Sequence, residues 1–192
     1  MTKLDTTLEV SDAYVVLDAG GIDRVLRRIA HEIIENHPDL GRVSLIGIPS
    51  RGVEVAVRLA GLIGQFSGVE IFSGVVDVAM HRDDLRLHRI PPRVERTILP
   101  DRLEEQTIIL TDDVLFSGRT CRAAMDSISS FGRPARIQYA VLVDRGHREL
   151  PIRADYVGQN HPTRMDERID VRFAVNGFGE DAVWLSRTKG AR

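Results

Sequence analysis

The chain has 192 residues, 43% hydrophobic and 28% charged, the composition of a globular protein that can bury a real core in one domain plus a small appendage. Lysine and arginine number 26 against 28 aspartate and glutamate, a net charge of −2, so a surface for nucleic acid must be a local patch and not a global bias. The single cysteine, Cys121, excludes an intramolecular disulfide framework and suits a reducing cytoplasm. The start of the chain has no signal-peptide pattern, and no apolar run nears the roughly 18 residues of a membrane span.

In chain order, residues 1–20 are mixed, with 14–17 expected as a short edge strand and the rest as a loose tail. A helix is predicted over 22–36, stopped by Pro38. Ile22, Val25, Leu26, Ile29, Ile33 and Ile34 share one face of it, and Arg24, Arg27, Arg28 and His31 share the other. That second face is either an ordinary solvated surface or a compact cationic stripe for nucleic acid. A buried strand over 43–48 follows, then Pro49-Ser50-Arg51-Gly52 and a helix over 53–63. Arginine suits bidentate phosphate contact and glycine permits close backbone approach. Residues 69–79 are predicted as a strand with a bulge at Gly74. Residues 83–105 lack an apolar period and carry three prolines and several arginines, as expected of a mobile lid or a disordered loop.

The most informative stretch is 107–125. A β-branched apolar run, Thr107 to Leu110, precedes two adjacent acids, Asp112 and Asp113. Val114, Leu115 and Phe116 lead to Ser117-Gly118-Arg119-Thr120 and a predicted helix over 122–127. A short polar loop entering a helix can hold a phosphate on backbone N–H groups, and neighbouring carboxylates can accept the two hydroxyls of a ribose. The ordinary alternative is an acid pair capping a loop, with Ser117 and Thr120 as helix caps. No Gly-x-x-x-x-Gly-Lys-Ser/Thr string is present, which excludes a Walker loop. A strand over 136–143, a charged segment over 144–157 and a β-hairpin over 168–185 turning at Asn176-Gly177 complete the chain. Strands alternating with helices predict an α/β fold with a parallel, doubly wound sheet and a small C-terminal β appendage.

The 107–125 string resembles the phosphoribosyl-pyrophosphate (PRPP) signature of type I phosphoribosyltransferases. Further blocks, Gly47-Ile-Pro-Ser-Arg-Gly52, Arg82-Asp-Asp-Leu85 and above all the run from Ala140 to Gly158, are similar to the bifunctional family of pyrimidine-operon regulators that are also uracil phosphoribosyltransferases. The resemblance covers roughly residues 22–163. It implies a single phosphoribosyltransferase-like domain over 1–192, with residues 144–192 as a hood and C-terminal strands. It implies the reaction uracil plus PRPP giving UMP plus diphosphate, with Mg2+ carried on the diphosphate. On that basis Asp112, Asp113 and Arg51 are the expected catalytic residues. Ser50, Arg51, Arg82, Asp112, Asp113, Val114, Leu115, Phe116, Ser117, Gly118, Arg119 and Thr120 are expected to hold PRPP or nucleotide. Arg145, Tyr156 and Val157 are expected at the base, with Tyr156 covering the ring or packing in the hood.

The same resemblance implies binding of leader mRNA of the pyrimidine operon, promoted by UMP or UTP, through Arg27, Arg28, His31, His147, Arg148 and Arg153. It also implies a homodimer or homotetramer with no membrane association. The chain departs from the family pattern at His81, Gln159 and Arg164, where tyrosine, lysine and serine are usual. A nucleotide-sensing RNA-binding regulator with little turnover, or a phosphoribosyltransferase for another base, are the alternatives.

Overall fold

The computed structural model describes residues 13–79 and 96–187. Strand β1 (Ala13–Leu17) leads directly into helix α1 (Ala19–Asn36). The helix starts earlier than its apolar stripe because the Asp18 carboxylate accepts the Gly21 N–H at 2.7 Å, an N-cap that the period alone does not reveal. Residues 14–17 are the expected edge strand, and 18–20 begin the helix instead of belonging to a tail. Strand β2 (Val43–Gly47) is buried throughout. Helix α2 (Arg51–Ser67) runs past the predicted end until Gly68 stops it in the left-handed region at φ 74°. Arg51 and Gly52 thus form its first turn and not a loop.

Strand β3 is short, Phe72–Val75. Gly74 marks no bulge, since β3 keeps an unbroken parallel register against β2. A Cβ at Gly74 would stand 2.2 Å from the Ile98 carbonyl, because Ile98 pairs with Val75 across this strand's open edge. Strand β4 (Thr107–Leu115) is longer than its apolar run and carries both acids inside it. It is followed by helix α3 (Arg119–Ser129), strand β5 (Arg136–Asp144) and strand β6 (Tyr156–Asn160). The C-terminal hairpin is β7 (Glu167–Arg172) and β8 (Ala182–Arg187).

Five strands form one parallel sheet in the order β3-β2-β4-β5-β6. The last of these lies within the 144–192 segment: residues 156–160 are an edge strand of the main sheet. A second, antiparallel sheet has the order β1-β8-β7. The appendage is thus completed by the N-terminal strand. Ile169, Val171, Phe173, Val183 and Leu185 bury one face of it in the same core that α1 and α2 make against the main sheet. A second core, with α3, fills the opposite face around Ile46, Ile108, Leu110 and Ile128. Arg58 of α2 fastens the small sheet, donating to Asp181 and Glu54 while its guanidinium lies 4.5 Å from the Phe173 ring centroid. Among the described residues no helix is long and apolar enough to cross a membrane.

Two glycines of α2 separate packing from propensity. A Cβ at Gly52 would stand 2.4 Å from the Thr111 carbonyl oxygen, whereas one at Gly61 meets nothing within 4 Å. Gly52→Ala is expected to cost about 2 kcal/mol, a fall of roughly 4–8 °C in Tm. Gly61→Ala is expected to raise stability by about 0.5–1 kcal/mol. Thermal melts of both variants check this pair.

Candidate active site

The C-terminal ends of β2 and β4 face the first turns of α2 and α3, and the chemistry-bearing residues gather there. Thr111 is fully buried, and its hydroxyl donates to the Gly52 carbonyl at 2.8 Å. The Thr111 carbonyl accepts the Ile48 N–H at 2.9 Å. These contacts dock the start of α2 on the strand that bears the acids. The peptide between Pro49 and Ser50 is cis, and Ser50 is exposed ahead of α2. Arg51 points across to Asp113, Nη1 to Oδ2 at 3.8 Å, and reaches Asp170 of β7, Nη2 to Oδ1 at 3.0 Å.

Alternation along β4 gives the two acids different surroundings, while their carboxyls stay within hydrogen-bonding reach of each other. Asp113 faces Arg51. Asp112 faces α3 and is only 7% exposed. Its Oδ1 accepts the Asp113 N–H at 2.9 Å and its Oδ2 accepts the Tyr139 hydroxyl at 3.2 Å. Burial, and then the charge of Asp113, push the Asp112 carboxyl well above the usual range. Burial and the nearby Asp112 charge also raise the Tyr139 phenol well above its ordinary value. Cys121, in the first turn of α3, is pushed up to about 12 by burial and by Asp112, so it is an inert packing thiol.

Between β4 and α3 the chain turns through Phe116, Ser117 and Gly118. Gly118 takes φ 90°, a conformation that favours glycine, and the Ser117 hydroxyl accepts the Arg119 N–H at 3.4 Å. A helix start of this kind can meet an anion through backbone N–H groups. The back of this loop is braced. The Ser117 carbonyl accepts the N–H groups of Glu149 and Leu150 at 3.0 and 3.1 Å, and the Arg148 Nη1 donates to the Phe116 carbonyl at 2.9 Å. Arg119 donates from Nε to Glu149 at 2.6 Å. Leu115 is a core residue and Val114 packs on the opposite core, so these two offer backbone and no side chain to a ligand.

Several expectations are corrected by these surroundings. Arg145 is 8% exposed. Its guanidinium donates to Thr163 Oγ1 at 2.9 Å and to the Glu167 carbonyl at 2.7 Å, and it lies 4.4 Å from the Phe116 ring centroid. Burial lowers its pKa. Its side chain holds the 163–167 turn. Tyr156 is 2% exposed with its hydroxyl 3.2 Å from His37 Nε2, on the α1 side of the sheet, so it packs in the core and covers no ring. Val157 is half-buried against the α3-side core, and its carbonyl accepts from Arg28 Nη2 at 2.9 Å. Arg148 is committed to Asp144 and to the carbonyls of Ile152, Phe116 and Gly146. His147 donates from Nε2 to the Thr163 carbonyl at 2.6 Å. Both are bracing residues in this fold. Arg153 is exposed.

On α1, Arg24, Arg27, Arg28 and His31 are all exposed, as the helical period predicts. The stripe is only partly uncommitted, since Arg27 pairs with Asp23 at 2.8 Å and Arg28 pairs with Glu32. His31 stacks on Phe66 of α2, ring centroids 4.3 Å apart and 8° from parallel, with the Arg27 guanidinium 5.7 Å from the same ring. Arg82, His81 and most of the expected lid lie outside the described residues. Sequence reasoning missed Tyr139 and Asp170. Both look like ordinary strand residues until the register of β4 with β5 and the docking of β7 are known.

An acid pair at a strand end, a glycine-turned anion loop opening a helix, and an arginine on the facing helix define a phosphoribosyltransferase. The phosphoribosyl transferase domain family matches residues 15–181. Hypoxanthine phosphoribosyltransferases share the fold at 16% identity. The Trypanosoma cruzi structure has a TM-score of 0.66 and covers 91% of this chain and 97% of its own. A Staphylococcus aureus structure has a TM-score of 0.66 with 92% of each chain covered. Far closer in sequence are proteins named bifunctional protein PyrR. That of Chloroflexus aurantiacus is 55% identical over 170 residues, 88% of this chain and 93% of its own length. That of Mycobacterium ulcerans is 47% identical over 181 residues, 92% and 96% of the two chains. The chain belongs to the PyrR family.

The assignment of Arg148 as a brace is testable. Arg148→Ala is expected to cost about 1–2 kcal/mol in a denaturant melt, because it strands several partly buried carbonyls and a carboxylate. Arg153→Ala is expected to change stability by less than about 0.5 kcal/mol.

Proposed function

We propose that this protein transfers the phosphoribosyl group of PRPP to uracil, giving UMP and diphosphate, and that it also senses the nucleotide as a cytoplasmic, RNA-binding regulator of pyrimidine biosynthesis. The observation that carries the enzyme reading is the joint geometry of Asp112, Asp113 and the Ser117–Gly118 loop, in a chain about half identical to PyrR proteins. The 5′-phosphate sits on the N–H groups of Ser117, Gly118, Arg119 and Thr120. The ribose hydroxyls donate to Asp112 and Asp113. Diphosphate leaves toward Ser50 and Arg51, where the guanidinium replaces part of its Asp113 and Asp170 contact with phosphate oxygens.

Departure of diphosphate develops positive charge at the ribose ring. The chain contributes by fixing the diol, holding the 5′-phosphate and receiving the leaving anion, which is positioning and electrostatics more than proton transfer. Among the described residues no group of three or more His, Cys, Asp or Glu could hold a metal. The donor set suits a magnesium ion whose ligands come from the diphosphate itself; bound there, it supplies charge neutralisation to the leaving group.

For the regulatory activity, the Arg27–His31–Phe66 cluster offers cations beside a stacked aromatic pair on an exposed face, which suits phosphates and splayed bases of a leader-RNA hairpin. A homodimer or homotetramer is carried over from the family resemblance.

Purified protein with magnesium, PRPP and radiolabelled uracil is expected to form UMP. Asp112→Asn and Arg51→Ala are each expected to lower kcat/KM by roughly 100-fold or more; no product above blank removes the enzyme reading. Filter binding to pyrimidine-operon leader RNA is expected to be UMP-stimulated and salt-sensitive. It should weaken by roughly tenfold in Arg27→Ala with His31→Ala. Unchanged binding would leave the stripe a solvated face.

A further inference from the structure

Asp112 cannot serve as a ribose clamp in just any orientation. Its carboxylate is nearly enclosed, so the direction of its lone pairs is set by whatever donates to it. Two donors do so from below and beside: the Asp113 N–H at 2.9 Å on Oδ1, and the Tyr139 hydroxyl at 3.2 Å on Oδ2. Tyr139 stands on β5 opposite Leu110 of β4, two positions before Asp112 on the same face. A long phenol is therefore needed to reach along the sheet to the carboxylate. Tyr139 is itself 4% exposed, and the Asp155 carboxylate accepts its backbone N–H at 2.8 Å, which pins that position.

We propose that Tyr139 is a positioning residue of the ribose clamp. Its hydroxyl holds one oxygen of Asp112 so that the carboxylate turns its remaining lone pairs to the ribose hydroxyls, and it thereby sets the preference of the site for ribosyl over deoxyribosyl phosphates. The inference rests on the PRPP-site reading above and adds a residue that is neither in the acid pair nor in the phosphate loop. Beside the Tyr139 hydroxyl, the Asp113 carboxyl also lies within hydrogen-bonding reach of Asp112. The groups around it are Asp113 beside it on β4, the Cys121 thiol on α3 and the Tyr139 phenol on β5, with Asp155 just ahead of β6.

The consequence for pH has a definite sign. Burial and the Asp113 charge already raise the Asp112 carboxyl, and the Tyr139 hydrogen bond opposes them by favouring the ionised form. Only the ionised carboxylate accepts from both the phenol and the diol, so ribose binding weakens as pH falls through this titration. Without the phenol, the fall-off moves toward higher pH.

The test is calorimetric binding of magnesium–PRPP, UMP and 2′-deoxy-UMP to the wild-type chain and to Tyr139→Phe, from mildly acidic to mildly alkaline pH. Tyr139→Phe keeps the ring and removes one oxygen. It is expected to bind PRPP roughly tenfold more weakly at neutral pH, with its acidic fall-off displaced to higher pH. Its UMP over 2′-deoxy-UMP preference should shrink by roughly fivefold. In an Asp112→Asn background the same change is expected to add nothing, whereas a merely structural tyrosine would give additive effects.

Wild-type affinity, preference and pH profile in Tyr139→Phe would overturn the proposal. Additive losses in the double variant would do so as well. PRPP bound but not converted to UMP would remove uracil as the acceptor while leaving the role of Tyr139 standing. PRPP bound by neither protein would overturn both.

Discussion

The approach of α2 to the end of β4 is the constraint on which the site depends. The Thr111 hydroxyl binds the Gly52 carbonyl, and a Cβ on Gly52 would lie 2.4 Å from the Thr111 carbonyl oxygen. On the neighbouring strand a Cβ on Gly47 would stand 2.3 Å from Val53 Cα. Both glycines exist because helix and strand backbones touch here. That contact puts Arg51 in the first turn of α2 within reach of Asp113, one residue after Thr111 and Asp112 on β4. The distance between Arg51 and the acid pair is thus set by backbone packing, which does not relax as side chains do.

Arginine serves two ends in this chain. Arg58, Arg145 and Arg148 work inward, joining the small sheet, the 163–167 turn and the 116–118 loop to the main sheet through carbonyls and carboxylates. Arg51 works at the border, shared between Asp113 of the main sheet and Asp170 of the small one. A planar fork with five donors suits bracing of several carbonyls as well as it suits phosphate. Residue type alone therefore did not tell a brace from a ligand at positions 145 and 148, and only the surroundings do.

Most of the parallel sheet, the turn at Gly118 and the acid pair were legible because apolar runs, glycine and aspartate carry their meaning locally. Helix α1 was legible for the same reason, since Ile22, Leu26, Ile29 and Ile33 repeat at the helical period and are all buried. Less legible was β6, whose five residues Tyr-Val-Gly-Gln-Asn carry no apolar run and sit behind a charged segment. Its partner β5 supplies the ladder that makes it a strand. Tyr156 looked like a base cover because an aromatic beside a site motif suggests stacking. Strand alternation instead turns it to the α1 side, where His37 and Gln138 meet its hydroxyl. Asp170 and Tyr139 depend on strand register and sheet docking, long-range quantities that no local pattern encodes.

The central claim is that one end of the sheet holds a ribose 5-phosphate between the acid pair and the start of α3. A crystal structure with UMP tests it most directly. The account predicts the 5′-phosphate oxygens within hydrogen-bonding distance of N–H groups of residues 117–120, and the ribose hydroxyls on the carboxylates of Asp112 and Asp113. UMP seated elsewhere, or a ribose whose hydroxyls touch neither acid, would contradict it.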